Sequence, residues 1–148
     1  MSLNQFRGLL RMTCVGALLA SSLSAAVVHA NDVKSVAVTS IVEHPALDSV
    51  RDGIRETLAA EGFEEGKTLR WEFQSAQGNP GIAAQIARKF IGDKPDVIVA
   101  IATPSAQAVI AATKSVPTVY SAVTDPVAAQ LVPSWEPSKG NVTGVSDL

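Results

Sequence analysis

Cysteine and histidine are nearly absent from this sequence. Its 148 residues include one cysteine, Cys14, and two histidines, His29 and His44. Proteins hold transition metals mainly with these two residue types, so we expect no site for such a metal. Nucleophilic catalysis through a histidine could be assembled only on His44, because His29 belongs to the leader described below. The expected place of His44 is beside Pro45 at the start of a helix.

Phosphate-binding motifs and basic patches are also missing. No glycine-rich dinucleotide fingerprint follows the first strand pattern, and the P-loop sequence Gly-x-x-x-x-Gly-Lys-Ser/Thr does not occur. Lysine and arginine form no run, and the whole chain has a formal net charge of −2. These absences argue against nucleic acid as a partner and against a nucleotide cofactor. We therefore expect neither a cofactor nor a metal.

Residues 1–30 have the features of a secretory signal peptide. Arg7 and Arg11 form a basic start, residues 15–28 are uncharged and mostly apolar, and the last three residues, Val-His-Ala, fit a cleavage site. The apolar run is shorter than the ~20 residues that a membrane span needs, which disfavours an uncleaved anchor. We therefore predict cleavage after Ala30 and a mature protein in the periplasm. That mature protein would contain no cysteine, so its core would form without disulfides.

Residues 96–107, Asp-Val-Ile-Val-Ala-Ile-Ala-Thr-Pro-Ser-Ala-Gln, join a buried strand to the start of a helix. Six apolar residues without alternation predict a strand that is covered on both faces. Thr103 is a favoured N-cap residue, and Pro104 suits the first helical position. Free N–H groups and the positive end of the helix dipole lie at such a start, which suits a carboxylate. The alternative is that Thr103 only caps its own helix.

Strand and helix patterns alternate along the rest of the chain. Strands are predicted at residues 33–40, 68–75, 97–102, 118–123 and 142–145. Helices are predicted to start at Pro45, Pro80, Pro104 and Pro126, with the first ending at Gly62, the second at Gly92 and the last, a short one, at Leu131. Strand–helix alternation implies a parallel sheet with right-handed crossovers. The predicted fold class is therefore α/β, as a Rossmann-like three-layer α/β/α architecture.

Each of the four prolines follows a residue that suits the start of a helix: His44, Asn79, Thr103 and Asp125. In a parallel sheet these starts meet at the carboxyl edge of the strands, where open α/β sheets bind ligands. The general preference of proline for the first position of a helix would by itself explain the four prolines. It would not explain the surplus of small polar side chains at the same edge, which are Thr39, Ser40, Ser75, Thr103, Ser105, Ser121 and Thr124.

Binding is favoured over catalysis at this edge. Thr103 and Ser105, with the N–H groups of their helix, are predicted to hold a carboxylate. We assign the ammonium group of an amino acid to Glu43, because the alternative, Asp125, is most simply an N-cap. Glu43 and Asp125 could also act as an acid–base pair, but lone carboxylates at an edge are more often caps or ligands for a cation. The predicted ligand-binding residues are Ser40, Glu43, Thr103, Ser105, Ser121, Thr124 and Asp125.

Several segments of the chain resemble, in the same order, the ABC transporter substrate-binding proteins of the tryptophan/tyrosine-type family. They are residues 41–48 (Ile-Val-Glu-His-Pro-Ala-Leu-Asp), 76–78 (Ala-Gln-Gly), 95–107, 121–126 (Ser-Ala-Val-Thr-Asp-Pro) and 140–147 (Gly-Asn-Val-Thr-Gly-Val-Ser-Asp). The resemblance implies a type I periplasmic-binding-protein fold, in which two lobes enclose a small ligand. It implies that residues 31–148 are the N-terminal lobe and that the second lobe is absent from this sequence.

The same resemblance implies a role outside the cytoplasm. Family members carry a small solute, often an aromatic or other amino acid, to the membrane permease of an ABC importer. An extracytoplasmic sensor that presents the same lobe to a signalling partner is the alternative, and a small flavodoxin-like enzyme is a third possibility. The predicted cleavable signal favours a free binding protein over a tethered sensor, and the missing phosphate loops disfavour the enzyme.

Overall fold

The computed structural model describes residues 32–137 and 139–147, and the predicted signal peptide lies outside these ranges. Within them, five strands form one parallel sheet with the order β2-β1-β3-β4-β5. Three helices connect the first four strands. The elements are β1 (Lys34–Ser40), α1 (Pro45–Ala60), β2 (Leu69–Ser75), α2 (Pro80–Asp93), β3 (Val97–Ile101), α3 (Thr103–Ala112), β4 (Thr118–Val123) and β5 (Val142–Ser146).

The helices lie on both faces of the sheet, which confirms the predicted three-layer α/β/α architecture. On one face, α2 and α3 pack on the sheet through a cluster that includes Phe90, Ile98 and Val109. On the other face, α1 packs on a second cluster around Val38 and Ile101. The α1 side chains that contact this second cluster follow the predicted helical stripe and are Leu47, Val50, Ile54 and Leu58. The central strand β3 contributes to both clusters, as its unbroken apolar sequence predicts.

Local sequence signals set the starts of α1 and α2. His44 caps α1, since its Nδ1 accepts a hydrogen bond from the Ala46 N–H at 3.3 Å. Asn79 caps α2 in the same way, with its Oδ1 accepting from the N–H groups of Gly81 and Ile82 at 2.8 and 3.3 Å. A proline follows each cap at a position that needs no N–H donor.

One predicted helix end and one predicted short helix are wrong. Helix α2 does not end at Gly92 but continues to Asp93, because Lys94 takes the left-handed conformation (φ +52°) and Pro95 then prevents continuation. The short helix predicted from Pro126 to Leu131 is a series of turns. Gln130 has a left-handed backbone conformation (φ +59°), which ends the helical geometry after about one turn. By contrast, Gly62 (φ +90°) follows the end of α1 as predicted.

Asp96 ties the start of the central strand to β1. Its Oδ2 accepts hydrogen bonds from the N–H and Oγ of Ser35, at 2.7 and 2.9 Å, and its own N–H donates to Ser35 Oγ at 3.0 Å. The bonds from the Ser35 N–H and then from its hydroxyl hold the pKa of Asp96 below its ordinary value. A carboxyl group with a lowered pKa in the folded state stabilises the fold above its unfolded pKa of about 3.9, and the contribution is lost as the pH falls through the lower folded value.

We therefore expect Asp96→Asn to lower the free energy of unfolding at pH 7 and to flatten its decline as the pH falls below the unfolded pKa of about 3.9. Urea denaturation at several pH values measures both effects. Glu136→Gln, in the exposed segment that follows β4, is the control and should leave the decline unchanged. An Asp96→Asn variant with the wild-type acid dependence would contradict the assignment.

Candidate functional site

The parallel sheet brings the carboxyl ends of its strands to one edge, which we call the rim: the last residues of β1 to β4 and the residues that follow each strand. Ser40 of β1 is paired with Ser75 of β2 on one side and with Ile101 of β3 on the other. Ile101 is paired in turn with Ser121 of β4. The rim therefore carries three serines in one row across four strands.

The strand order predicts a crevice at a defined point of this rim. From β1 the chain moves outward to β2 through α1 on one face, and it then returns to the other side of β1, at β3, through α2 on the opposite face. Such a reversal between β1 and β3 leaves a gap between the segments that follow these two strands, and ligands of open α/β sheets bind there. Here those segments are residues 41–44 and the start of α3.

The start of α3 differs from the sequence prediction, in which Thr103 is the N-cap. Ala102 occupies the cap position and Thr103 is the first helical residue. Ala102 has φ +72° and ψ +153°, a backbone conformation that is strained for any residue other than glycine. Its N–H donates a hydrogen bond to the Ser121 carbonyl at 2.9 Å. Its carbonyl accepts the first helical hydrogen bond, from Ala106. The prediction that Thr103 caps this helix is wrong because Ala102, fixed against β4, already takes the cap position.

No side chain in the described part of the chain caps α3. The other three rim segments are satisfied internally: His44 and Asn79 cap their helices, and Asp125 Oδ1 accepts from the N–H groups of two residues in the turn that follows it, at 3.0 and 2.9 Å. The half-buried Thr103 makes no hydrogen bond to another described residue through its hydroxyl. The crevice between β1 and β3 thus presents an uncapped helix start and a hydroxyl group to any ligand.

Two further hydroxyl groups, one in the first turn of α3 and one near the end of β1, are buried. Ser105 is 0% exposed and Thr39, next to the last residue of β1, is 1% exposed. Neither Ser105 Oγ nor Thr39 Oγ1 has a hydrogen-bond partner among the described residues. Because Ser105 is fully buried, its side chain does not reach the surface of the crevice.

The segment after β1 carries Ser40 and Glu43. The Ser40 hydroxyl donates to the Val42 carbonyl at 2.8 Å and therefore shapes this segment. Glu43 is exposed, and it is one of the acidic groups that raise the pKa of Arg51, after the hydrogen bond to Asp52 and the charges of Asp52 and Asp48. The Glu43 carboxylate is thus exposed in the segment after β1 and forms no ion pair within 4 Å in the described ranges.

The remaining predicted site residues follow or end β4. Ser121 is nearly buried, Thr124 and Asp125 are exposed, and the Thr124 carbonyl accepts a hydrogen bond from Ser146. The Asp125 side chain caps the turn that follows it, as predicted from its position before Pro126. Glu43 thus follows β1 and Thr103 follows its neighbour β3, whereas Thr124 and Asp125 follow β4, one strand further along the sheet.

Comparison with known proteins identifies the family. Residues 35–148 match the family model described as ABC transporter substrate binding protein. The chain belongs to this family. The resemblance inferred from the five sequence segments is thereby confirmed.

Relatives of this chain include the tyrosine-binding protein of Clostridioides difficile (strain R20291), which is 46% identical over 114 residues. That match covers 77% of this chain and 33% of the relative. Among solved structures, a conserved domain protein from Vibrio cholerae O1 biovar El Tor is 58% identical, with a TM-score of 0.78 over 78% of this chain and 39% of that protein. A Streptococcus pneumoniae ABC domain in complex with L-Trp is 36% identical, with a TM-score of 0.73 over 76% of this chain and 38% of that protein. This substrate-binding chain thus spans a third to two-fifths of the length of these relatives.

Within residues 32–137 and 139–147, no group of three histidine, cysteine, aspartate or glutamate side chains is arranged to hold a metal ion. No helix in the same ranges is long and apolar enough to cross a bilayer. The family is one of substrate-binding proteins and not of enzymes, and its members act outside the cytoplasm.

A surface depression of about 350 Å³ lies at the opposite edge of the sheet of this substrate-binding protein, near Ser35 and Arg70. Of its four charged side chains, Lys89 is paired with both acidic groups, Glu72 and Asp93, and Arg70 is the fourth. Lys89 Nζ lies 2.7 Å from both Asp93 and Glu72, and these hydrogen bonds raise the pKa of Lys89. Because no helix begins at that edge and its charges neutralise each other, we place the candidate ligand site at the rim.

The sequence does not predict the roles of two residues of the candidate site, Ala102 and Thr39. The apolar pattern places Ala102 in the preceding strand, and nothing in an alanine indicates a positive φ. Thr39 belongs to the polar residues of the rim, but the sequence gives it no separate role. Its position beside Ser40 at the end of a buried strand was the available signal, because a polar side chain in such a strand needs a partner.

Proposed function

We propose that this lobe forms one wall of the ligand cleft of an ABC importer's substrate-binding protein and that the ligand is an amino acid. The observation that carries the proposal is the uncapped start of α3 at the crevice between β1 and β3. Unpaired N–H groups and the helix dipole favour a carboxylate at such a position. The tyrosine and L-Trp named for two relatives make aromatic amino acids the first ligands to test.

The proposed carboxylate contacts are the Thr103 hydroxyl and the first turn of α3. Thr103 is half-buried, so its hydroxyl can reach a ligand without a change in the fold. Ser105 lies in the same turn of α3 but is fully buried, so we assign it to the support of this subsite and not to direct contact with the ligand. Ser40 supports the opposite side, because its hydroxyl fixes the segment that carries Glu43.

The proposed ammonium contact is Glu43. Asp125 is the competing carboxylate at the rim, but its Oδ1 already accepts two backbone hydrogen bonds. Glu43 is exposed and keeps both oxygens available. Ser121, Thr124 and Asp125 then line the cleft one strand further along, where a larger side chain of the ligand would extend.

Transport is favoured over signalling as the use of this site. The family match is to binding components of ABC transporters, so the proposed partner is the membrane permease of an importer. A sensor would need the same ligand site but a signalling partner in place of the permease. Uptake of labelled tyrosine by cells with and without the gene separates the two proposals, since loss of a sensor leaves uptake by the permease intact.

Glu43→Gln tests the ammonium contact. We would measure it in a two-lobed chimaera, in which residues 32–148 replace the matching lobe of the Clostridioides difficile tyrosine-binding protein. Loss of a hydrogen bond to a charged group should weaken tyrosine binding by about tenfold or more in calorimetry. Binding of 3-(4-hydroxyphenyl)propanoate, which lacks the ammonium group, should not change.

Glu56→Gln, on the exposed surface of α1, is the matched control and should leave both affinities unchanged. If Glu43→Gln left tyrosine affinity at the wild-type value, the ammonium contact would have to be reassigned. The unmodified chain by itself should bind tyrosine more weakly than the chimaera, because closure of two lobes on the ligand contributes contacts that one lobe lacks.

We further propose that the protein is exported to the periplasm and is cleaved after Ala30. The basic start, the apolar run and the small residues at positions 28 and 30 support this proposal. Mass spectrometry of protein from the periplasmic fraction should give Asn31 as the first residue. Recovery of a chain that still begins at Met1 would contradict it.

A further inference from the structure

The two unpartnered hydroxyl groups beneath the crevice lie in the same layer of the fold. Thr39 alternates with Val38, which faces α1, and shares the opposite face with Ala37, which packs towards α2 and α3. Ser105 belongs to the buried stripe of α3 with Ala106, Val109 and Ile110. Both side chains therefore point into the layer between the sheet and α2 and α3.

The strand register brings these two residues to the same end of that layer. Thr39 is paired with Ala100 of β3, and from Ala100 the chain reaches Thr103, the start of α3, within three residues. Ser105 is the third residue of this helix and lies on its side towards the sheet. The two residues thus belong to the same end of that layer, one on β1 and the other on the helix that follows the neighbouring strand β3.

A buried hydroxyl without a partner destabilises a protein, and valine or alanine would fill the same space without that cost. A bound group that satisfies both hydroxyls would remove this cost at the shared end of the layer. Each hydroxyl can donate one hydrogen bond and accept two, and neither carries charge, so a small neutral molecule fits them. Both residues are less than 2% exposed, so an amino acid cannot reach their hydroxyls from the solvent. A water molecule is small enough, because internal waters typically make two to four hydrogen bonds to buried polar groups.

We propose that Thr39 and Ser105 bind one internal water molecule between β1 and the first turn of α3. Through this water, Thr39 is a positioning residue for the turn that receives the ligand carboxylate. The water links the strand on one side of the crevice to the helix on the other, and so fixes the distance across the site. This second role rests on the proposed amino-acid binding, whereas the water site itself does not.

A crystal structure of the purified chain at about 1.5 Å resolution tests the water site directly. A density peak within hydrogen-bond distance, about 2.5–3.2 Å, of both Thr39 Oγ1 and Ser105 Oγ is the expected result. A direct bond between the two hydroxyls, or a gap without density, would overturn the proposal. This outcome does not depend on whether the protein binds an amino acid.

Variants test the link in solution. Thr39→Val and Ser105→Ala should each raise the unfolding equilibrium constant by about fivefold, because each leaves the water with one partner fewer. Since both act on one water, the double variant should raise it by much less than the product of the two factors. Single variants that are as stable as the wild type, or effects that simply multiply, would contradict a shared water.

The positioning role predicts an effect on ligand affinity with rescue by the conservative variant. In the two-lobed chimaera, Thr39→Val should weaken tyrosine binding by about fivefold although Thr39 is buried, and Thr39→Ser, which keeps the hydroxyl, should restore it. Equal weakening by both variants would overturn the positioning role, because it would trace the effect to the methyl group. If the wild-type chimaera binds no amino acid, the proposed function fails while the crystal structure still decides the water site.

Discussion

Thr103→Val is expected to weaken tyrosine binding by the two-lobed chimaera by about ten- to a hundredfold. Valine keeps the shape of threonine but removes the hydroxyl that we assign to the ligand carboxylate. Hydrogen bonds to a charged acceptor contribute about 1.5–3 kcal/mol, and this range corresponds to the stated loss of affinity. The hydroxyl makes no hydrogen bond to another residue in the described ranges, so the fold itself should not suffer from the change.

A set of three ligands assigns this effect to the carboxylate. Tyrosine and 3-(4-hydroxyphenyl)propanoate both carry the carboxylate and should lose the same affinity, whereas tyramine lacks it and should lose none. Thr57→Val is the matched control, because Thr57 lies in the last turn of α1, away from the rim. If tyramine binding fell as much as tyrosine binding, Thr103 would be acting on the shape of the cleft instead of on the carboxylate.

Gly144→Ala is expected to lower the free energy of unfolding by about 3 kcal/mol, at the upper end of the range for overpacking. Gly144 is paired with Tyr120 across β4 and β5. A Cβ atom there would come within 2.5 Å of the Tyr120 ring carbons and closer still to its carbonyl oxygen. The carbonyl belongs to an internal strand and the ring is nearly buried, so neither can move aside cheaply. The edge strand β5 should therefore detach or shift.

Gly53→Ala provides a control of opposite sign. Gly53 lies inside α1, and a Cβ atom at this position would have no neighbour within 4 Å. Alanine in a helix is favoured over glycine by about 0.5–1 kcal/mol, so this variant should be more stable than the wild type. Chemical denaturation measures both variants under the same conditions. A Gly144→Ala variant within about 0.5 kcal/mol of the wild type would show that β5 accommodates a side chain.

The sequence by itself determined the alternation of strands and helices and the edge at which the site lies. His44-Pro45 and Asn79-Pro80 are local signals, since a cap and a proline act on the next few residues whatever surrounds them. The apolar run at residues 97–101 needed only its own composition to indicate a strand covered on both faces. Once the strands are parallel, the helix starts must meet at one edge, so the rim also follows from the sequence.

Only the tertiary structure decided which helix start at this edge is open to a ligand. The N–H of Ala102 donates a hydrogen bond to the carbonyl of Ser121, which lies in another strand. Ala102 therefore takes the cap position of α3, and because alanine has no polar side chain the helix start is left without a side-chain cap. The burial of Thr39 and Ser105 likewise depends on how β1 and α3 pack together. Hydrogen bonds and contacts between residues far apart in the chain fixed these features. Propensities of single segments carry no information about such contacts, and the sequence could therefore indicate the polar residues of the rim but not their separate roles.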